Sequence, residues 1–171
     1  MTTAPTHKDF LSRIEQGQAR IGVIGLGYVG LPLAHALHGG GSQVIGFDID
    51  PGKPKAIKEG RNYLQHLGDS MITDLRDSKR FEATTDFGRL GECDVIIVAV
   101  PTPLGRHQEP DISYILATAE AIGKTLRAGQ LIILESTTYP GTTRDEMMPA
   151  VFKAAGERGK NLKLGRDVFG A

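Results

Sequence analysis

Residues 21–50 read I-G-V-I-G-L-G-Y-V-G-L-P-L-A-H-A-L-H-G-G-G-S-Q-V-I-G-F-D-I-D, and their order decides the fold. The apolar run 21–24 suits a buried parallel strand. Gly25-Leu26-Gly27-Tyr28-Val29-Gly30 follows, and an apolar helix is predicted over residues 28–37. A second apolar run, 44–47, ends on Asp48. Strand, glycine turn, helix, strand and acid, in that order, form the fingerprint of a βαβ unit that binds a dinucleotide.

Each residue type has a reason to be there. Gly25 supplies the backbone angles of a tight turn leaving the strand. Gly27 has no Cβ, so a pyrophosphate can approach the main chain, and Gly30 permits close packing of helix on strand. The free N–H groups and positive dipole end of the helix then face the phosphates. Asp48 follows the turn at about the 20-residue spacing of an acid that accepts hydrogen bonds from the adenosine ribose diol. A 2′-phosphate would meet that carboxylate, and Ile49 rather than an arginine comes next, so NAD is expected over NADP.

The rest of the composition narrows the function by exclusion. The 171 residues suit one domain with a sizeable core, and 20 basic residues balance 20 acidic ones. No basic stripe or nucleic-acid signature is present, so neither nucleic acid nor a membrane surface is an expected partner. One cysteine, Cys93, excludes an internal disulfide. The five histidines, His7, His35, His38, His66 and His107, lack zinc-ligand spacing, so no metal site is expected. His35 and His38 read as polar positions on the first helix of the fingerprint. No apolar run spans a bilayer and the first residues lack a signal-peptide pattern, which makes the cytoplasm the expected location.

Outward from the fingerprint, residues 1–7 read as a polar, disordered tail. Residues 8–18 read as a short helix docking through Phe10, Leu11 and Ile14. The expected division is therefore a tail and helix over 1–19 and a nucleotide-binding domain over 20–171. Asp50-Pro51 resembles a helix cap, with Pro54 disturbing the first turn. Residues 61–68 read as a loop, 69–78 as a helix with Met71, Ile72 and Leu75 inward, and 81–85 as a third strand. The run 93–100 is a buried strand stopped by Pro101-Thr102-Pro103. An amphipathic helix is predicted from Asp111 to about Leu126, then a strand over 131–134, a helix over 142–155 and a final apolar strand near Val168 and Phe169. Strands alternating with helices indicate an α/β fold, a doubly wound Rossmann-type parallel sheet with helices on both faces. Segments 25–30, 101–103 and 136–141 fall at strand ends and should line one crevice, with Asp48 at its adenosine side.

Five blocks carry a resemblance: I-G-V-I-G-L-G-Y-V-G-L-P-L-A, G-F-D-I-D-P, V-P-T-P-L, E-P-D-I-S-Y-I and E-S-T-T-Y-P-G-T-T, in order between residues 21 and 143. Together they resemble the UDP-glucose/GDP-mannose dehydrogenase family, the NAD-dependent nucleotide-sugar 6-dehydrogenases. N-Y-L-Q-H around Tyr63 and the last block look most like the UDP-N-acetylglucosamine branch, although Gly105-Arg106-His107-Gln108 departs from the threonine and arginine expected there. The resemblance implies cofactor contacts from Tyr28 and Val29 in the glycine turn, Asp48, Lys53, Pro101 and Thr102 of V-P-T-P, and Ser136 and Thr137. Thr137 is implied near the nicotinamide and the reacting sugar carbon, as an auxiliary catalytic group. Each has a plainer reading: Val29 fills the helix–sheet interface, Lys53 is a solvated lysine, and Thr102 and Thr137 cap their loops.

The family oxidises a primary alcohol to a carboxylate through two hydride transfers to NAD, using a cysteine in G-G-H-C-I-P, a lysine and an aspartate. These lie later in the chain than the residues here. Cys93, at the start of its strand and away from the crevice, reads as a small buried residue. The expectation is therefore the amino-terminal cofactor domain of a larger enzyme, ending inside a strand. It should bind NAD but turn over no UDP-sugar alone. The whole enzyme is expected to be a homo-oligomer making a UDP-sugar uronate for surface polysaccharide, and this piece a monomer. The alternative is a stand-alone NAD- or nucleotide-sensing module without catalysis. Another Rossmann dehydrogenase would share the first block but not V-P-T-P or E-S-T-T-Y-P-G.

Overall fold

A computed structural model describes residues 7–64, 68–105 and 109–171. The tail over residues 1–6, His66 and the Arg106, His107 and Gln108 positions lie outside the described residues. Six strands form one parallel sheet: β1 (Arg20–Ile24), β2 (Gln43–Phe47), β3 (Phe81–Thr84), β4 (Val95–Val98), β5 (Gln130–Leu134) and β6 (Val168–Gly170). Their spatial order is β3-β2-β1-β4-β5-β6. The chain thus runs outward from β1 to one edge, crosses to β4 and runs outward again. This is the doubly wound Rossmann order, whose direction reverses between β1 and β4.

The central strands are apolar along their length because helices cover both faces. On one face Ile24, Ile45, Phe47, Ile96, Val98 and Ile132 pack against α5 (Ser113–Gly123) and α6 (Met148–Ala155). On the other, Val23, Val44 and Phe81 pack against α2 (Gly30–Gly39), α3 (Gly52–Lys58) and α4 (Asp69–Arg76) through Leu31, Ala34, Ile57, Ile72 and Leu75. A short α7 (Glu157–Lys160) leads toward β6.

The helix before the sheet, α1 (His7–Glu15), docks through Phe10 against Val95 and Ile97. Leu11 and Ile14, expected to dock with it, remain 43% and 41% exposed. A polar clasp secures the helix instead. Arg13 donates to both oxygens of Asp94 at 2.9 and 2.8 Å, while Arg127 Nη2 and the Arg20 N–H reach the same carboxylate at 2.9 and 3.0 Å. Asp94 is 1% exposed, so these donors offset the cost of burying its charge.

Several boundaries differ from expectation. Helix α2 begins at Gly30 rather than Tyr28, because Tyr28 and Val29 belong to the turn and stand exposed. Pro54 does not disrupt α3: it lies in the first turn, where an N–H has no intrahelical partner to lose. The Asp50 carboxylate accepts the Gly52 N–H at 2.8 Å, as a cap does. Strand β4 is confined to Val95–Val98, with Ala99 and Val100 leaving the ladder. The helix expected over 142–155 opens as a wide π-type turn, Thr142–Met147, before α6. Pro149 explains this, since it offers no N–H to a carbonyl four residues back and its ring would collide there.

Candidate dinucleotide site

The carboxyl ends of β1, β2 and β4 open into a cavity of about 600 Å³, at the point where the strand order reverses. That volume falls within the roughly 300–1,000 Å³ of small-molecule sites. Gly25, Gly27, Tyr28, Val29, Asp48, Lys53 and Pro101 all border it. They descend from three separate stretches of sequence, brought together because parallel strands end on one side.

The turn after β1 is built on two close approaches. Gly25 has φ +94°, and a Cβ there would lie 2.5 Å from the Ala99 carbonyl oxygen. A Cβ on Gly30 would lie 1.8 Å from the Gly25 carbonyl oxygen. Gly30 therefore fits against the turn itself, more tightly than against the strand. Gly27 differs: a Cβ there would meet nothing within 4 Å, so it faces open space at the cavity wall. The N–H groups of Gly27, Tyr28, Val29 and Gly30 donate to no acceptor among the described residues. Gly27, Tyr28 and Val29 border the cavity, so this part of the turn brings free donors to it, as an anion cradle does.

Asp48 sits at the end of β2, 4% exposed, on the same cavity. Its Oδ2 accepts the Leu26 N–H at 2.8 Å and Lys53 Nζ at 2.8 Å; its Oδ1 accepts the Asp50 N–H at 3.0 Å. Each carboxylate oxygen accepts about two hydrogen bonds, so Oδ1 retains capacity toward the cavity. These partners hold the carboxylate in place and leave room for a diol, which satisfies the demands of an adenosine ribose. Lys53 is thus paired with Asp48 rather than solvated, and Val29 is 58% exposed, too exposed to fill the helix–sheet interface.

The V-P-T-P and E-S-T-T segments reach the site unequally. Pro101 borders the cavity, whereas Thr102, Ser136 and Thr137 do not. Of the segments 101–103 and 136–141 expected to line one crevice, Pro101 borders this cavity. Ser136 turns back, its Oγ donating to the Val100 carbonyl at 2.8 Å, and so ties the end of β5 to the end of β4. Thr137 is exposed beyond β5. Thr138 and Thr142 bond to each other at 2.8 Å and hold the following turn.

Residues not anticipated from the sequence complete the wall. Phe87, from the 3₁₀ turn Phe87–Glu92, tilts against Phe47 with ring centroids 5.8 Å apart. Tyr114, Ala117, Thr118 and Ala121 present one face of α5 to the cavity. Their spacing of three and four is visible in sequence, and the small Ala117 and Ala121 mark a helix face that leaves space. Elsewhere, Cys93 is fully buried beneath the opposite end of the sheet, and burial pushes its thiol up to about 12. His35 bonds to Asp74 and His38 to Ser78, as polar helix positions should. No cluster able to hold a metal occurs among the described residues, and no helix of theirs is long and apolar enough to cross a membrane.

Fold order, glycine cradle and buried strand-end acid define a dinucleotide-binding domain of the Rossmann type. Residues 19–166 match the NAD-binding domain of the UDP-glucose/GDP-mannose dehydrogenase family, and the chain belongs to that family. It is 37% identical over 150 residues to UDP-N-acetyl-D-glucosamine 6-dehydrogenase of Pseudomonas aeruginosa, covering 88% of this chain and 33% of that one. Protein CapL of Staphylococcus aureus is 38% identical over 149 residues, covering 87% of this chain and 33% of that one. Among solved structures, GDP-mannose dehydrogenase of P. aeruginosa in a ternary complex superposes with TM-score 0.80 at 29% identity, over 88% of this chain and 35% of that one. The NDP-N-acetyl-D-galactosaminuronic acid dehydrogenase of Methanosarcina mazei also gives 0.80 at 29%, over 97% and 36%. The chain spans about a third of the length of the curated relatives it matches.

Proposed function

We propose that this domain holds NAD for a nucleotide-sugar 6-dehydrogenase that oxidises a UDP-sugar, of the UDP-N-acetylglucosamine type, to its uronate. The observation that carries the reading is the Asp48 carboxylate, fixed by the Leu26 N–H and Lys53 at the wall shared with the glycine turn. Bound NAD would supply a hydride acceptor. The free amides of residues 27–30 would receive its pyrophosphate, and Asp48 would accept hydrogen bonds from its ribose diol. The apolar wall of Phe87, Ala117 and Ala121 would exclude water from the nucleotide.

Residues 20–171 are the NAD-binding unit in this proposal, and 1–19 an appended element whose helix α1 is clasped to it through Arg13. Thr102, Ser136 and Thr137 are assigned to the nicotinamide end, where Ser136 positions the loop and Thr137 faces the sugar. The choice of UDP-N-acetylglucosamine rests on the 37% identity to the P. aeruginosa enzyme. A cytoplasmic setting belongs to the same proposal and rests on the nucleotide-sugar chemistry of the relatives.

Titration calorimetry with NAD and NADP tests the cofactor assignment. NAD should bind at least about tenfold more tightly, the effect of one charged hydrogen-bond pair. A preference for NADP would remove Asp48 from its role. Production of NADH by residues 1–171 alone with a UDP-sugar would contradict the proposal that catalytic groups lie elsewhere.

A further inference from the structure

The glycine turn is gripped from two sides through one residue. The Leu26 N–H donates to Asp48 Oδ2 at 2.8 Å, and the Leu26 carbonyl accepts from the Tyr63 hydroxyl at 2.9 Å. The Leu26 side chain is wholly buried, so rotation cannot relax either bond. A Cβ on Gly46 would come within 2.8 Å of Leu26 Cδ2, a measure of how closely that side chain is packed.

A trans peptide is planar, and its C=O and N–H point in opposite directions. Tyr63 packs against the cluster of Ile57, Leu64, Ile72 and their neighbours and does not border the cavity. By drawing the Leu26 carbonyl toward that cluster, its hydroxyl turns the Gly27 N–H the other way. Gly27 does border the cavity, and its N–H has no acceptor among the described residues. Burial, reinforced by Asp48 and Asp50, pushes the Tyr63 phenol up, so it stays protonated and donating throughout the physiological range.

We propose that Tyr63 is a positioning residue for the dinucleotide: its bond to the Leu26 carbonyl orients the Leu26–Gly27 peptide and presents the Gly27 N–H to the pyrophosphate. This rests on the NAD-binding reading above. It separates Tyr63 from a residue that merely stabilises the loop, because the effect is specific to ligands that carry a pyrophosphate.

The test compares wild type with Tyr63→Phe, which keeps the ring and removes the hydroxyl, against NAD, ADP-ribose and adenosine. The variant should bind NAD and ADP-ribose about 5- to 10-fold more weakly, the scale of one lost hydrogen bond. Adenosine affinity should stay within about twofold. In ¹⁵N-resolved spectra of wild type, the Gly27 amide should move on adding ADP-ribose and stay put with adenosine; the movement should shrink in the variant. Equal weakening for all three ligands, unchanged NAD affinity, or an unresponsive Gly27 amide in wild type would each overturn the proposal. The last reading needs no variant and holds even if Tyr63→Phe fails to fold. Wild type that binds no NAD at all would overturn the cofactor reading itself, before any variant is made.

Discussion

Lys53 Nζ stands 2.8 Å from Oδ2 of Asp48, the same oxygen that receives the Leu26 N–H. One carboxylate therefore fixes both the glycine turn and the first turn of α3. The substitution Asp48→Asn leaves Lys53 without its ion pair and weakens the hold on the ribose diol. NAD affinity should fall about 10- to 100-fold, the range for losing charged hydrogen bonds, with NADP affinity much less affected. Calorimetry on the variant checks both numbers, and an unchanged NAD-to-NADP ratio would contradict the assignment.

Two glycines of the turn should respond oppositely to alanine. Gly30→Ala places a methyl on the Gly25 carbonyl and should destabilise the domain by at least about 1–3 kcal/mol, the cost of overpacking. Gly27→Ala meets no protein atom within 4 Å, so its melting temperature should be nearly unchanged while NAD affinity drops. Thermal denaturation with and without NAD separates the two effects.

The Asp94 clasp should matter for stability and not for binding. Asp94→Ala strands Arg13 and Arg127 and should cost about 2–4 kcal/mol in urea unfolding, slightly less than a fully buried pair because both arginines are partly exposed. Arg13→Ala, which loses the more exposed partner, should cost about 1 kcal/mol or less. Neither variant should shift NAD affinity beyond about twofold, since neither side chain borders the cavity.

Cys93 predicts a pH dependence. Its thiol is pushed up from 9.0 to about 12, chiefly by burial, with Glu92 adding to the shift. The folded state then holds a proton that the unfolded chain releases first. The contribution is fully present below pH 9 and is lost as pH rises from about 9 to about 12. Denaturation at pH 8 and pH 10 should show the loss in wild type and a smaller one in Cys93→Ala. At pH 8 the native thiol should resist iodoacetamide and react only on unfolding.

The fingerprint was legible because its parts sit close in sequence and each residue type has one physical job. Asp48 could be placed from spacing alone, and the parallel, doubly wound sheet followed from alternating elements. The wall made by Phe87, Tyr114, Ala117, Thr118 and Ala121 was not legible as a site, since nothing local says which helix will lie over the glycine turn. Leu11 and Ile14 misled because helical spacing shows which side chains share a face, while Arg13 and Asp94 decide how α1 is held. Ser136 was read as a cofactor neighbour from its motif. Its hydroxyl ties down the Val100 carbonyl, a contact between positions 36 residues apart that no spacing rule anticipates.

The two faces of the sheet carry separate cores, yet the cavity draws walls from both: Phe87 and Val100 pack with one, and the turn around Leu26 with the other. A nucleotide seated there would act as a keystone across a seam. Its occupancy would be felt as resistance to melting by both halves at once, about 2.7 kcal/mol at a hundredfold excess over Kd, rather than as local tightening of one loop.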